Sequence, residues 1–105
     1  MKFLDFLNDI GIKPQKYISL ARRAALRTGY NPRLLFFSHN PRKKLNYDGI
    51  DFGANFYNDF IIYKLLNPEI ADERRRNYRA RALQTAIDTD NKFSPANLSL
   101  NILWK

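Results

Sequence analysis

The chain has 105 residues, the size of one domain, and 45% of them are hydrophobic, so it can build a core. It contains no cysteine, which excludes disulfides, thiolate metal sites and cysteine nucleophiles. Its net charge of +8 favours a phosphate-rich partner.

The first residues do not predict a secretory signal. The apolar stretch that begins at Phe3 contains Asp5 and Asp9, and no small-residue cleavage site follows it. No apolar run approaches the ~18–20 residues that a membrane span needs. Because the lack of disulfides also favours a reducing compartment, we expect an intracellular protein that has no membrane partner.

Two helices are predicted in the N-terminal part, residues 1–29. A short amphipathic helix covers residues 3–10 and ends at Gly11. The next covers residues 14–28, with Pro14 in its first turn and Gly29 after its end. Three cations of this second helix fall within about 40° of one another and form a cationic ridge. They are Lys16, Arg23 and Arg27.

Positive charge is segregated along the chain. No acidic residue stands between Asp9 and Asp48, and all ten acids lie outside that interval. Soluble surfaces usually intersperse both signs, so this pattern favours a cationic binding surface over a merely solvated one. The cations of the interval are Lys13, Lys16, Arg22, Arg23, Arg27, Arg33, Arg42, Lys43 and Lys44.

The middle of the chain predicts two or three short antiparallel strands. An apolar run covers residues 33–38, and a loop with three cations, Arg42, Lys43 and Lys44, follows it. Asp48-Gly49 then joins two short arms, and this dipeptide is a strong signal for a two-residue hairpin turn because both residues tolerate positive φ.

Three helices are predicted in the C-terminal half. Residues 56–66 are apolar on most sides and predict the central buried helix. Asn67-Pro68 begins a helix that runs to about residue 88, and Ser94-Pro95 begins a last short one. The fold class is therefore α+β: a small helical domain with a short two- or three-stranded antiparallel sheet. We expect residues 1–105 to form one domain, in which the helical N-terminal part, residues 1–29, precedes a second part, residues 30–105.

The helix after Pro68 is rich in arginine: Arg74, Arg75, Arg76, Arg79 and Arg81. Guanidinium groups match phosphates bidentately and stack on bases. The alternative is a salt-bridged face, since Asp72 and Glu73 precede Arg76 by four and three residues. We expect two or three of these arginines to reach a partner. Tyr78 is predicted to pack inward with Ala71, Ala82 and, less squarely, Ala86.

Aromatic residues concentrate around residues 52–63, namely Phe52, Phe56, Tyr57, Phe60 and Tyr63. They could form a base-stacking platform, but their spacing around a predicted buried helix favours core packing. Trp104 is expected to cover the same core, because the apolar residues near it cannot all face solvent cheaply.

Catalysis is not expected. The chain has one histidine, His39, in a predicted turn, and lacks the parts of most acid–base and nucleophilic sites. Asp48, Asp51 and Asp59 are the only candidates for a divalent-metal site of a nuclease, and their spacing matches no nuclease pattern. We predict no metal and no cofactor.

Four segments occur in an order typical of one family. They are Phe52-Gly53 after a short strand, Tyr57-x-Asp59-Phe60, Arg74-Arg75-x-x-Tyr78, and Leu98-Ser99-x-x-Ile102-Leu103-Trp104. Over residues 30–104 the chain thereby resembles a family of small, basic, uncharacterised proteins of large double-stranded DNA viruses. Asp51 and Ala82 stand where that family usually has histidines. The resemblance implies a viral origin and a shared fold, and no mechanism.

The sequence thus predicts a non-catalytic protein that binds nucleic acid, most simply DNA, through phosphates and with little sequence specificity. The alternative is a structural or minor capsid protein that contacts other viral proteins. For either function, the resemblance implies that the protein acts in an infected host cell. Whether it is also packaged in the virion stays open. The type of nucleic acid and the oligomeric state stay open as well. The predicted phosphate contacts are Lys16, Arg23, Arg27, Arg42, Lys43, Lys44, Arg75, Arg76 and Arg79.

Overall fold

The elements follow the predicted order of two helices, a small antiparallel sheet and three helices. A computed structural model describes residues 2–84 and 91–105. Over these residues the helices α1–α5 cover Phe3–Asp9, Pro14–Arg27, Phe60–Leu66, Pro68–Gln84 and Pro95–Leu98, and the strands β1–β3 cover Leu35–Phe37, Lys43–Tyr47 and Ile50–Ala54. After α5 the chain continues as a π-helix over Ser99–Leu103. The α+β prediction is confirmed.

Helix α2 packs through a face of small residues. Ala21, Ala24 and Ala25 are buried, and the helix lies against the C-terminal π-helix. A hydrogen bond of 3.3 Å from Thr28 Oγ1 to the carbonyl of Asn101 holds the two together. Because alanines bring little bulk between the helices, α2 and the π-helix can pack closely.

The sheet has the strand order β1–β2–β3, with both neighbouring pairs antiparallel. Tyr47 and Ile50 face each other across a two-residue turn in which Asp48 and Gly49 have φ of 49° and 88°. Two positive φ values are what a type I′ turn requires, so the predicted hairpin is confirmed.

Gly53 allows strand β3 to approach the C-terminal π-helix closely. Its φ is 81°, and a Cβ atom there would lie 2.8 Å from Leu103 Cδ1 and 3.3 Å from Lys44 Cβ. No side chain fits this site without moving its neighbours. The glycine therefore fixes how closely the sheet and the C-terminal segment pack.

Helix α3 begins at Phe60 and not at residue 56 as predicted. The carboxylate of Asp59 accepts a 2.9 Å hydrogen bond from the Ile62 N–H, which caps the helix at this point. Phe56, with φ of 73°, lies in a turn that Asn55 holds by accepting from the Phe56 N–H and donating to the Pro41 carbonyl.

This turn corrects the prediction for the aromatic residues. Phe52 is fully buried in the core, but Phe56 is 55% and Tyr57 is 71% exposed. Ile61 and Ile62 are the buried residues of α3, so the helix is central along only part of its surface. The sequence pattern did not separate the two groups because the turn interrupts the helical periodicity.

The last two helices begin as predicted. Helix α4 begins at Pro68, and its predicted end near residue 88 lies outside the described residues. The Ser94 side chain caps α5 by accepting from the Asn97 N–H at 3.2 Å. The core between these elements and the sheet contains Tyr17, Leu35, Leu45, Phe52, Ile62, Leu98, Ile102 and Leu103.

Candidate nucleic-acid interface

The predicted cationic ridge of α2 is exposed along its length. Lys16, Arg23 and Arg27 all face solvent, since the alanine face of the helix packs inward. Arg22 lies outside the ridge and serves the fold, because its Nε and Nη2 donate to the Leu35 carbonyl at 3.1 and 2.8 Å. The helical period therefore separates binding candidates from a structural arginine.

The fold adds two further cations to this ridge. Arg23 and Arg27 line a small cavity of about 110 Å³ together with Lys64 of α3 and Lys105. Leu20, Ile61 and Ile102 contribute apolar side chains to its lining, and no Asp or Glu side chain of residues 2–84 and 91–105 lines it. Four cations from three separate segments thus meet at one place. We call this group, Arg23, Arg27, Lys64 and Lys105, the cationic cluster.

Two predicted arginines of α4 have different surroundings: Arg75 adjoins this cluster, and Arg79 contacts the C-terminal segment. The Arg75 guanidinium lies 4.5 Å from the Phe60 ring centroid, and its Nη1 donates to the Lys105 carbonyl at 2.9 Å. Its Nη2 pairs with Asp72 at 3.2 Å. Arg79 is half-buried and donates to the carbonyls of Leu100 and Trp104 at 3.2 and 3.3 Å. Arg79 therefore holds the C-terminal segment, and its predicted contact with a phosphate stays a prediction.

The predicted exposed loop of Arg42, Lys43 and Lys44 does not exist in that form. Arg42 is exposed in the turn, but Lys43 and Lys44 belong to β2. Only 2% of the Lys44 side chain is exposed, and its ammonium pairs with Asp59 at 2.8 Å. The prediction that Lys44 reaches a phosphate is wrong, because its charge is enclosed and already neutralised.

Lys44, Asp59 and Tyr17 form a buried polar group that joins β2, α3 and α2. Asp59 Oδ2 accepts from Lys44 Nζ at 2.8 Å and from the Tyr17 hydroxyl at 2.5 Å. Lys44 also donates to the Tyr57 carbonyl and lies 5.4 Å from the Phe3 ring centroid. Asp59 therefore accepts hydrogen bonds both from a tyrosine hydroxyl and from a backbone N–H, that of Ile62. This group ties the two halves of the domain together.

Alkaline unfolding is expected to report on Tyr17. Burial, followed by the charge of Asp59, raises the pKa of Tyr17 well above its ordinary value of 10.0. A raised pKa in the folded state stabilises the protein fully below pH 10 and loses that contribution as pH rises towards the folded value. Above pH 10 this group should cost about 1.4 kcal/mol of unfolding free energy per pH unit.

The measurement is urea unfolding of the parent and of Tyr17→Phe at several pH values from neutral to strongly alkaline. Tyr17→Phe should be less stable at neutral pH, where the hydrogen bond is lost, and should decline less steeply above pH 10. Equal slopes for the two proteins would show that Tyr17 does not titrate on unfolding.

The face of α4 that carries Tyr78 lines a groove that was not predicted from the sequence. Tyr78 is half-buried and stacks on Trp104 with ring centroids 4.2 Å apart and planes 7° apart. Burial raises the pKa of Tyr78 above its ordinary value, and the positive charge of Arg81 offsets only part of that rise. Ala71 and Ala82 are buried as predicted, and Ala86 lies outside the described residues. Tyr78 therefore lies at the margin of the inward-facing stripe.

The acidic side chains do not gather into a metal site within the described ranges, where no group of three or more His, Asp or Glu residues could hold an ion. Asp59 is engaged with Lys44 and Tyr17. Asp51 Oδ1 accepts hydrogen bonds from Asn46 Nδ2 at 2.9 Å and from the Ser38 hydroxyl at 2.6 Å. Both hydrogen bonds lower the pKa of Asp51, and the one from Asn46 has the larger effect. Both carboxylates thus have structural partners.

Comparisons with protein-family models, curated proteins and solved structures give no match for this chain. None of the helices in residues 2–84 and 91–105 is long and apolar enough to cross a membrane.

Proposed function

We propose that this protein binds nucleic acid, most simply DNA, through its phosphates and with little sequence specificity. The observation that carries the proposal is the cationic cluster, in which α2, α3 and the C-terminal residue bring four positive side chains around one cavity. Phosphate contacts position a protein on nucleic acid without reading its sequence. The exposed Lys16 and Arg76, and the partly exposed Arg75, extend the positive surface.

The apolar side chains that line this cavity make phosphate a better ligand than water for the four cations of the cationic cluster. Charges beside low-dielectric walls interact more strongly with a counter-charge than charges in open solvent. Because no Asp or Glu side chain of the described residues lines the cavity, an external anion is a suitable partner. The resemblance of residues 30–104 implies a DNA virus as the setting for this function.

Charge-matched variants test the proposal. Arg23→Gln, Arg27→Gln and Lys64→Gln are combined in one protein, and the control combines Lys2→Gln, Lys13→Gln and Arg33→Gln. All six positions are exposed, so each triple variant removes three positive charges with little effect on stability. Binding to a short labelled duplex of arbitrary sequence is measured by fluorescence anisotropy over a range of salt.

The cluster variant is expected to bind more weakly and to lose about one unit of salt slope for each missing phosphate contact, roughly three in all. The control should lose less than about one unit. Equal losses in the two variants would mean that net charge alone drives binding. The cluster would then have no special role.

The alternative function, a structural protein of the virus particle, has one observation in its favour. Leu26 and Phe36 are 65% and 55% exposed, and Phe36 lies on the edge strand β1 beside the Arg22 guanidinium. Exposed apolar side chains suit protein contacts. Under this function, binding to nucleic acid would be absent or insensitive to salt.

A further inference from the structure

A groove of about 750 Å³ lies between the turn at residues 57–59, helix α4 and the C-terminal segment. This volume is within the range of about 300–1,000 Å³ that is usual for ligand sites. Helix α4 contributes Ala80 and, in addition, four residues at the spacing i, i+3, i+4 and i+7, which is one face of a helix. They are Arg74, Asn77, Tyr78 and Arg81.

One wall of the groove is aromatic. Trp104 stacks on Tyr78, and Tyr63 lies beside it with a centroid distance of 6.4 Å and a tilt of 50°. All three rings are only half-buried although they contact one another. Tyr57, which is 71% exposed, also lines the groove. Aromatic surface is therefore left open to a ligand.

The rim of the groove is cationic. Arg74 and Arg81 are exposed, and the Arg74 guanidinium lies 5.7 Å from the Tyr63 ring centroid. Neither arginine takes part in an ion pair with another residue of the described ranges. The acid of the lining, Asp59, is already paired with Lys44, so the floor does not repel an anion.

The position of Tyr57 is held by backbone geometry. Phe56, the residue before it, has a φ of 73°, which is unfavourable for a bulky side chain. Two hydrogen bonds of Asn55 stabilise the turn in spite of this cost. Such local strain concentrates at ligand-binding sites, and here it directs an exposed aromatic residue to the mouth of the groove.

We propose that this groove holds unpaired bases of a single strand, with Arg74 and Arg81 on the adjoining phosphates. The inference rests on the proposed function and deepens it. Aromatic rings stack on bases only where the base faces are free, and in a duplex they are covered. The cationic cluster would contact the backbone of either form, whereas the groove would select the single strand.

Trp104 provides the test, since it is the one tryptophan of the chain and lines the groove. A base stacked in the groove should quench its emission. An oligothymidine is expected to quench Trp104, and a duplex of the same length should bind, by anisotropy, with little quenching. Thymidine monophosphate forms the third arm, and quenching by it at equal concentration would assign the groove to free nucleotides and overturn the single-strand proposal.

Two variants separate the groove from the cluster. Tyr57→Ala, at an exposed position, should weaken oligothymidine binding by about tenfold and leave duplex binding unchanged. The double variant Arg23→Gln, Arg27→Gln should weaken the binding of both nucleic acids. The extent of Trp104 quenching at saturating oligothymidine should stay unchanged. Single-strand binding without quenching, and without an effect of Tyr57→Ala, would overturn the groove proposal and leave phosphate binding standing. Failure of both nucleic acids to bind would overturn the proposed function itself.

Discussion

Replacing Asp59 with alanine is expected to lower the free energy of unfolding by about 3–5 kcal/mol, the usual cost of breaking a buried ion pair. Lys44 would keep a positive charge at a site where 2% of its side chain is exposed. Tyr17 would lose its acceptor and α3 its N-terminal cap. Because native domains are stable by only about 5–15 kcal/mol, the midpoint of urea unfolding should fall sharply.

Two further variants show which contact matters. Asp59→Asn keeps a good capping residue for α3 but removes the charge, so most of the destabilisation should remain. Combining it with Lys44→Met removes the isolated ammonium, and this double variant should be more stable than Asp59→Asn alone. If Asp59→Asn unfolds at the same urea concentration as the parent, the ion pair contributes nothing to the fold.

Duplex binding by the parent protein is expected to weaken by roughly 10³-fold between 50 and 200 mM salt, if about five to seven phosphates are contacted. Each neutralised phosphate releases counterions, which is why the logarithm of the binding constant falls linearly with the logarithm of the salt concentration. The exposed and half-exposed side chains available for these contacts include Lys16, Arg23, Arg27, Arg42, Lys43, Lys64, Arg75, Arg76, Arg79 and Lys105.

The slope is measured by anisotropy titrations at several salt concentrations, with the cluster variant as the comparison. A slope near zero would mean that the protein does not act through phosphates. It would favour contacts with protein surfaces, and therefore the structural role in a virus particle.

Local signals predicted the elements well where one short segment decides the outcome. Asp48-Gly49 predicted the hairpin because both residues accept positive φ, and Pro14 predicted the start of α2. The ridge of Lys16, Arg23 and Arg27 followed from the period of a helix. These features need no knowledge of the rest of the chain.

Features that depend on distant residues could not be predicted in this way. Lysine is almost never buried without a partner, and the partner of Lys44 is Asp59, in a turn that follows the next strand. Lys64 and Lys105 join Arg23 and Arg27 only after α3 and the C-terminal segment pack on α2. The groove residues did follow a sequence signal, the i, i+3, i+4, i+7 stripe of α4. The crowding of arginines on every side of that helix concealed it.

The π-helix at Ser99–Leu103 makes the position of Trp104 sensitive to the number of residues in this segment. The Trp104 N–H donates to the Ser99 carbonyl, five residues earlier, at 3.1 Å, so the turn holds one residue more than an α-helical turn. Deleting one residue would favour a regular helix and rotate Trp104 by about 100° around its axis, away from Tyr78. A deletion here would therefore displace the Trp104 ring even if every buried side chain of the segment were kept.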